Sequence, residues 1–269
     1  MPISFEQVTY TYPCAQQPAV QDLTLQLPVG HRCALIGRNG CGKSTLLQLA
    51  NGLFRPQRGQ LYWQGQRFDY RAASLRSLRQ QVGLVFQDPE QQLVATTVEE
   101  DLSYGLCNLG LPDAKIGSLV QRALQEFDLL SLADTPINHL SLGQKKRVAI
   151  ADVMILQPRL LLMDEPTAYL DPAQTRTLFH SLEQIHAAGT TVVIATHDLE
   201  FVYAWADWIL VMDRGRIVLE GETEPVFEQR EALTDLGMGL PLAIDLLTNP
   251  SPRSLATLRA QLRKRLGRL

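Results

Sequence analysis

No stretch of this 269-residue chain approaches the roughly 18 to 20 unbroken apolar positions that a helix needs to cross a bilayer, so no membrane-spanning helix is expected. A basic surplus is also missing. With 25 Lys and Arg against 28 Asp and Glu, the formal charge is -3 and bulk affinity for nucleic acid is not implied. Met1 to Tyr10 carries Glu6 and shows no basic start with an apolar run behind it, so no secretory signal is expected there. The cysteines, Cys14, Cys33, Cys41 and Cys107, lack metal-like spacing and are expected to be small thiols in a reducing compartment. There is no internal repeat and no low-complexity tract. What is present is 45 % hydrophobic content on a chain long enough to bury a substantial core, as one large α/β domain or one domain with an appendage.

Near the start, Leu23, Leu25 and Leu27 alternate with Asp22, Thr24 and Gln26, the period of a strand with one wet face, and Ile3 with Phe5 hints at its partner. Four later segments read differently: Cys33-Ala34-Leu35-Ile36, Val82-Gly83-Leu84-Val85-Phe86, Leu160-Leu161-Leu162-Met163 and Val192-Val193-Ile194-Ala195. Continuous apolar runs of this kind belong to parallel strands covered by helices on both faces. An α/β fold is predicted, with a parallel-sheet core, an antiparallel β subdomain and an inserted α-helical subdomain at about 88–155. Its helices are expected to open at Val98-Glu99-Glu100-Asp101-Leu102 and to run over Leu119–Leu130. The main domain is predicted over 1–228 and a helical tail over 229–269. In that tail Ser251-Pro252 would cap a last helix carrying Leu255, Leu258, Leu262, Leu266 and Leu269 on one stripe, beside Arg259, Arg263, Lys264 and Arg265. Packing on its own core, a subunit contact and a membrane-surface role all stay open for this helix.

Each of the four apolar runs is followed at once by polar or Gly chemistry, and in open parallel sheets ligands bind beyond the carboxyl ends of the strands. After the first comes Gly37-Arg38-Asn39-Gly40-Cys41-Gly42-Lys43-Ser44, then Thr45, which fits the P-loop pattern. Glycine lets backbone N–H groups approach a phosphate chain at a helix N-terminus, Lys43 would reach the β and γ phosphates, and Ser44 would take a place on Mg²⁺. Asp164 ends another buried run, where an ionised carboxylate is costly without a cation such as Mg²⁺. Glu165 beside it suits a base that orients and deprotonates the water attacking a γ-phosphate. Ser141-Leu142-Gly143-Gln144 fits a capping box, and a capped helix N-terminus is at the same time an anion site.

In this order the motifs resemble the ATPase subunit of ATP-binding-cassette transporters, over about residues 3–225. The resemblance implies a RecA-like P-loop NTPase core and ATP with Mg²⁺ as cofactors. By the same likeness Ser141, Gly143 and Gln144 would grasp ATP held by a second ATPase subunit, a copy of this chain or a paralogue. Gln87 corresponds to the glutamine that senses Mg²⁺ and the attacking water, His197 to the histidine that contacts the γ-phosphate, and Asp171 to the loop that couples the two sites. Tyr12 corresponds to an adenine-stacking aromatic, while on the residues alone packing against Tyr10 stays open. The wider family usually has glycine where Leu142 stands, and a side chain there limits close backbone approach.

Phe86-Gln87-Asp88-Pro89-Glu90-Gln91-Gln92-Leu93 and Asn108-Leu109-Gly110-Leu111-Pro112 look like the ATPases of energy-coupling-factor importers, including cobalt and nickel importers. That branch implies an integral membrane coupling subunit, a substrate-binding membrane subunit, no nucleic-acid partner, and a peripheral place on the cytoplasmic face of the cell membrane. The acids Asp88, Glu90, Glu99 and Asp101 are expected to receive the coupling subunit's arginines. The rival readings are a soluble cassette ATPase of DNA repair or translation, and a P-loop kinase or GTPase. The first would carry a long coiled-coil insertion or a second cassette, and the second has no use for the Ser141 motif.

Overall fold

The computed structural model describes residues 3–241 and Ile244. Strands β1 (Ile3–Tyr10) and β2 (Val20–Gln26) pair antiparallel with Phe5 opposite Leu25. Leu23 and Leu25 are buried while Asp22, Thr24 and Gln26 face water, so the alternation read from the sequence holds. The chain then crosses into β3 (Arg32–Ile36) and helix α1 (Lys43–Ala50), and returns as β4 (Arg58–Trp63) and β5 (Gln66–Arg67) to complete a sheet in the order β2-β1-β4-β5. Helix α2 (Ala72–Gln81) leads into β6 (Val82–Val85), followed by three helices, α3 (Val98–Asn108), α4 (Asp113–Glu126) and α5 (Leu142–Met154). Strand and helix alternate from there: β7 (Leu160–Asp164), α6 (Pro172–Ala187), β8 (Thr191–Thr196), α7 (Leu199–Trp205) and β9 (Trp208–Asp213). β10 (Arg216–Glu222), α8 (Thr223–Glu228) and α9 (Arg230–Asp235) follow.

The second sheet has the order β10-β9-β3-β8-β7-β6 and is parallel except for β10. The four apolar runs are thus four adjacent parallel strands. Every residue of β6, β7 and β8 is buried, because each face of the sheet has its own core. Cys33, Leu35, Leu160 and Leu162 pack on the face shared with the antiparallel sheet; Ala34, Ile36, Leu161 and Met163 pack on the other, against Leu178, Leu182 and Trp205. Alternation of burial along a strand is lost when both faces are covered, which is why these strands read as unbroken hydrophobic runs.

Helices α3, α4 and α5 share a cluster of their own, with Val98, Leu102 and Leu106 of α3 against Ile116, Val120 and Leu124 of α4 and Val148 and Ala151 of α5. These three- and four-residue spacings place one apolar stripe per helix. The helix predicted over Leu119–Leu130 instead begins at Asp113 and ends at Glu126. Extended Pro112 sets its start, Asp128 at φ 51 leaves the helical region, and Leu130–Leu132 is a separate single turn. Among the described residues no helix is long and apolar enough to cross a membrane. The helix expected from Ser251 lies outside the described residues.

One acid of this helical cluster behaves differently from its sequence reading, and a second, Asp152, lies beside it. Asp101 is only 2 % exposed, and its Oδ1 accepts the backbone N–H groups of Val94 and Ala95 at 2.8 Å each. It caps the loop entering α3, so the expectation that it joins an exposed docking surface is corrected. Asp88, Glu90 and Glu99 are exposed, with Glu90 paired to Lys145. Asp152 faces Asp101 and accepts from Gln92 Nε2 at 3.4 Å. Burial first, then the charge of Asp101, push its carboxyl up to about 7, against the opposing pull of the Gln92 hydrogen bond. Between the ordinary value of 3.8 and about 7 the native state keeps a proton that the unfolded chain releases, so this group costs stability as pH rises through that window. Asp152→Asn is therefore expected to raise Tm at pH 8 by roughly 2–4 °C, with the gain shrinking toward pH 5. Paired thermal melts at the two pH values check it; equal gains at both would assign the effect to something other than the proton.

Candidate active site

The loops after β3, β8, β7 and β6 lie at the carboxyl edge of four neighbouring strands, and each delivers predicted site residues. After β3 the chain turns through Gly37 at φ 156 and Gly42 at φ 114. A Cβ on Gly37 would strike the carbonyl oxygen of Met212, and one on Gly42 that of Ala19, so both positions demand glycine on space as well as on backbone angle. Helix α1 has no side-chain cap at Gly42 and no acid in its first turn. Its leading N–H groups are left for an anion. Asn39 and Gly40 are exposed in the turn, while Cys41 is buried and its thiol is pushed up mainly by that burial. Lys43 is buried too, with Nζ donating to Gly37 O at 2.8 Å and lying 3.9 Å from Glu165 Oε1.

Ser44 lies beside Asp164 at the end of β7. Desolvation raises the Asp164 carboxyl above its ordinary range, against the lowering effect of the Ser44 hydroxyl, and its Oδ1 is buried without a hydrogen-bond partner. Glu165 follows at 6 % exposure in a left-handed backbone conformation, φ 45, that non-glycine residues seldom adopt. Its carboxylate is held from β8: Thr196 Oγ1 donates to Oε2 at 3.0 Å and His197 Nδ1 donates to Oε1 at 2.9 Å. The His197 side chain is 63 % exposed. Gln87 lies exposed just beyond β6. Tyr12 sets its hydroxyl 3.0 Å from Thr45 Oγ1, and its ring stands edge-on to Tyr10 and Phe54. The packing reading of Tyr12 is thus realised while its hydroxyl still points to α1.

The other predicted residues form a second cluster. Ser141 caps α5 in a reciprocal capping box, its Oγ accepting from Gln144 N at 3.3 Å while Gln144 Oε1 accepts from Ser141 N at 2.7 Å. Asp171 does the same for α6 with Gln174. The two capped ends meet where Gly143 faces the Gln174 side chain. No hydrogen bond or ion pair among the described residues joins Ser141, Gly143 or Gln144 to residues 37–45. A cavity of about 670 Å³ between α4 and α6, lined by Leu119, Phe127, Met154 and Gln184, contains none of the predicted site residues.

Three residues escaped the sequence reading. Thr196 holds the Glu165 carboxylate; its only sequence signal is a hydroxyl at the carboxyl end of a buried strand. Gln92 accepts from Phe86 N at 3.4 Å and donates to Ala149 O at 2.7 Å, tying the loop that carries Gln87 to α5. Lys146 is 5 % exposed and donates to the Glu165, Pro166 and Ala168 carbonyls. In a run of three basic residues no residue type marks which one turns inward.

Comparison with known proteins places these features in context. The family model described as ABC transporter matches residues 20–168. A cobalt import ATP-binding protein CbiO of Salmonella paratyphi A is 43 % identical over 232 residues, 86 % of each chain. An energy-coupling factor transporter ATP-binding protein of Methanospirillum hungatei is 38 % identical over 255 residues, 95 % of this chain and 64 % of that one. Among solved structures, cbiO1 from Clostridium perfringens, described as part of the ABC transporter complex cbiONQ, superimposes with a TM-score of 0.77 at 36 % identity, covering 91 % of this chain and 98 % of the other.

Proposed function

The chain belongs to the ABC transporter family as an ATP-binding, ATP-hydrolysing subunit, and from that premise we propose that it powers an importer of the energy-coupling-factor type, carrying a vitamin or a cobalt or nickel ion through separate membrane subunits. One observation carries the mechanism: the Gly37–Thr45 cradle and Glu165 share an edge, while the Ser141 end of α5 stands apart from them in the same chain. Two half-sites in one molecule are both used when a second ATPase subunit, a copy or a paralogue, presents its Ser141, Gly143 and Gln144 to the triphosphate. The ATP is then caged between two chains. Asp171, capping α6 against Gly143, links one chain's two half-sites.

Within the cage Lys43 leaves the Gly37 carbonyl for the phosphate oxygens, and the α1 N–H groups hold them from below. Glu165 takes the proton of the attacking water, its carboxylate aimed by Thr196 and His197. Gln87 and His197, both exposed at the edge, complete the approach from the β6 and β8 sides. The unpartnered Asp164 Oδ1 and the Ser44 hydroxyl fit Mg²⁺, and Gln87, just past the neighbouring strand β6, would serve as a further oxygen donor. When bound, Mg²⁺ neutralises charge on the phosphates. Tyr12 offers the face of its ring to adenine.

Residues 1–228 act as the nucleotide-binding domain, its helices over 88–155 carrying the Ser141 end, and 229–269 as a tail whose α9 packs Leu233 into the domain's own core, with a subunit contact left to the residues beyond it. The protein then sits peripherally on the cytoplasmic face of the cell membrane. Tagged protein drawn from gently solubilised membranes is expected to bring integral membrane partners with it, and their presence in vesicles to stimulate MgATP turnover. Recovery of ribosomes or DNA in place of membrane proteins would sink the importer reading.

A further inference from the structure

We propose that Lys146 is a positioning residue that fastens the Glu165 loop to helix α5, so that displacement of the Ser141 end is passed to the catalytic carboxylate. The three basic residues after Gln144 diverge, as the roughly 100° step of a helix requires. Lys145 pairs with Glu90, Arg147 bonds Asp128 through its carboxylate at 3.0 Å and its carbonyl at 3.2 Å, and Lys146 turns into the interior.

There its ammonium donates to three carbonyls in a short stretch: Glu165 O at 3.3 Å, Pro166 O at 2.9 Å and Ala168 O at 2.6 Å. Three donors meet three acceptors, so the group is satisfied. The stretch they grip leaves β7 and runs to the cap of α6, and it contains two left-handed non-glycine residues, Glu165 at φ 45 and Tyr169 at φ 65. Backbone of that kind persists only when its surroundings over-determine it. The stretch is also held by its own turn bonds, Ala168 N–H to Glu165 O and Leu170 N–H to Thr167 O, and from β8 by Glu165 N–H to Ala195 O and by Thr196 and His197 on the Glu165 carboxylate; among the described residues its hydrogen bonds to α5 come through Lys146. Burial also pulls the ammonium down to about 8, against the raising influence of Glu165 and Asp88. An apolar side chain would fill the same space without that cost, so the charge is there for what it holds.

From Ser141 to Lys146 is about one and a half turns of α5, short enough to move as a rigid lever. The proposal rests on the reading that the Ser141 end touches ATP on the facing chain while Glu165 acts on ATP in its own cradle. Lys146 then couples the two half-sites of one molecule, aligning the base only when the facing cage has closed.

The test is steady-state MgATP hydrolysis by the full-length protein carrying Lys146→Met, Lys146→Arg or Glu165→Gln. Lys146→Met is expected to lower kcat by roughly 10- to 100-fold, the effect of a misplaced catalytic group, with the KM for ATP within about threefold of the parent. Lys146→Arg, which keeps the charge and its donors, is expected to recover most of the lost kcat. If Lys146→Met does not fold, Lys146→Gln replaces it with the same expectation. A parental kcat in the Met variant, a KM that rises in step with the loss, or no recovery in the Arg variant overturns the proposal. Glu165→Gln separates the two ways of failing: undiminished hydrolysis there removes Glu165 as the base and this proposal with it. An inactive Glu165→Gln beside a full-speed Lys146→Met overturns this proposal alone.

Discussion

Replacing Glu165 by Gln is expected to cut ATP turnover by roughly 10² to 10⁴ while leaving nucleotide binding in place. The substitution keeps the side chain's length and one carbonyl oxygen, so Thr196 or His197 still finds an acceptor. What is lost is the ability to take a proton. Lys43, the α1 N–H groups and the Gly37–Gly42 turn are untouched, since among the described residues Glu165 meets the cradle through the 3.9 Å approach of Lys43 Nζ. At that distance, between two buried groups, the carboxylate holds Lys43 only loosely, and its removal does not empty the cradle. Phosphate release under saturating MgATP, set beside titration with a fluorescent ATP analogue, reads the two quantities separately. Turnover at the parental rate would assign the base to another group. Because ATP persists uncleaved in this variant, MgATP is also expected to shift it to the dimer in sedimentation; a protein that stays monomeric would count against the shared cage.

The parts of this site that were legible in the sequence are those whose residue type is forced by backbone or by burial. Gly37 and Gly42 stand where a Cβ would collide with main chain, and the strands before them lose their alternation because both faces are covered. Both facts leave marks in composition alone. Asp164 and Glu165 were legible because two acids directly after an apolar run contradict packing. Residues that act through direction left no such mark. Asp101 reads as one more acid at a helix start, yet its side chain folds back onto two N–H groups of the entry loop, a bond that depends on loop shape. Lys146 differs from Lys145 and Arg147 only in which way the helix points it. Helix α4 was misplaced because its stripe of Ile116, Val120 and Leu124 is interrupted by Gly117 and Ser118, and the stronger run of leucines past Leu119 continues into a turn that is not helix.

Lys43→Ala is expected to weaken ATP binding and to lower hydrolysis by about 10² to 10³, the usual cost of deleting a preorganised cationic donor from a phosphate site. The ammonium is buried and committed to the Gly37 carbonyl, so the cradle already holds a positive charge at its floor in the absence of nucleotide. Alanine removes that charge and leaves the Gly37 oxygen facing the incoming phosphates, an acceptor where a donor is needed. The same variant tests whether the cage is shared. Ser141→Arg keeps its own cradle but places a bulky cation at the end of α5, and by itself it too should be nearly inactive. Mixed dimers of the two variants contain one complete cage, made from the cradle of the Ser141→Arg chain and the α5 end of the Lys43→Ala chain. With random exchange in a two-fold dimer, half of the dimers are mixed and each has one of its two cages intact, so activity should return to about a quarter of the parental value. If mixed dimers form and hydrolysis stays at the level of either variant alone, each chain must build its cage unaided, and the separation of Ser141 from the cradle would need another explanation.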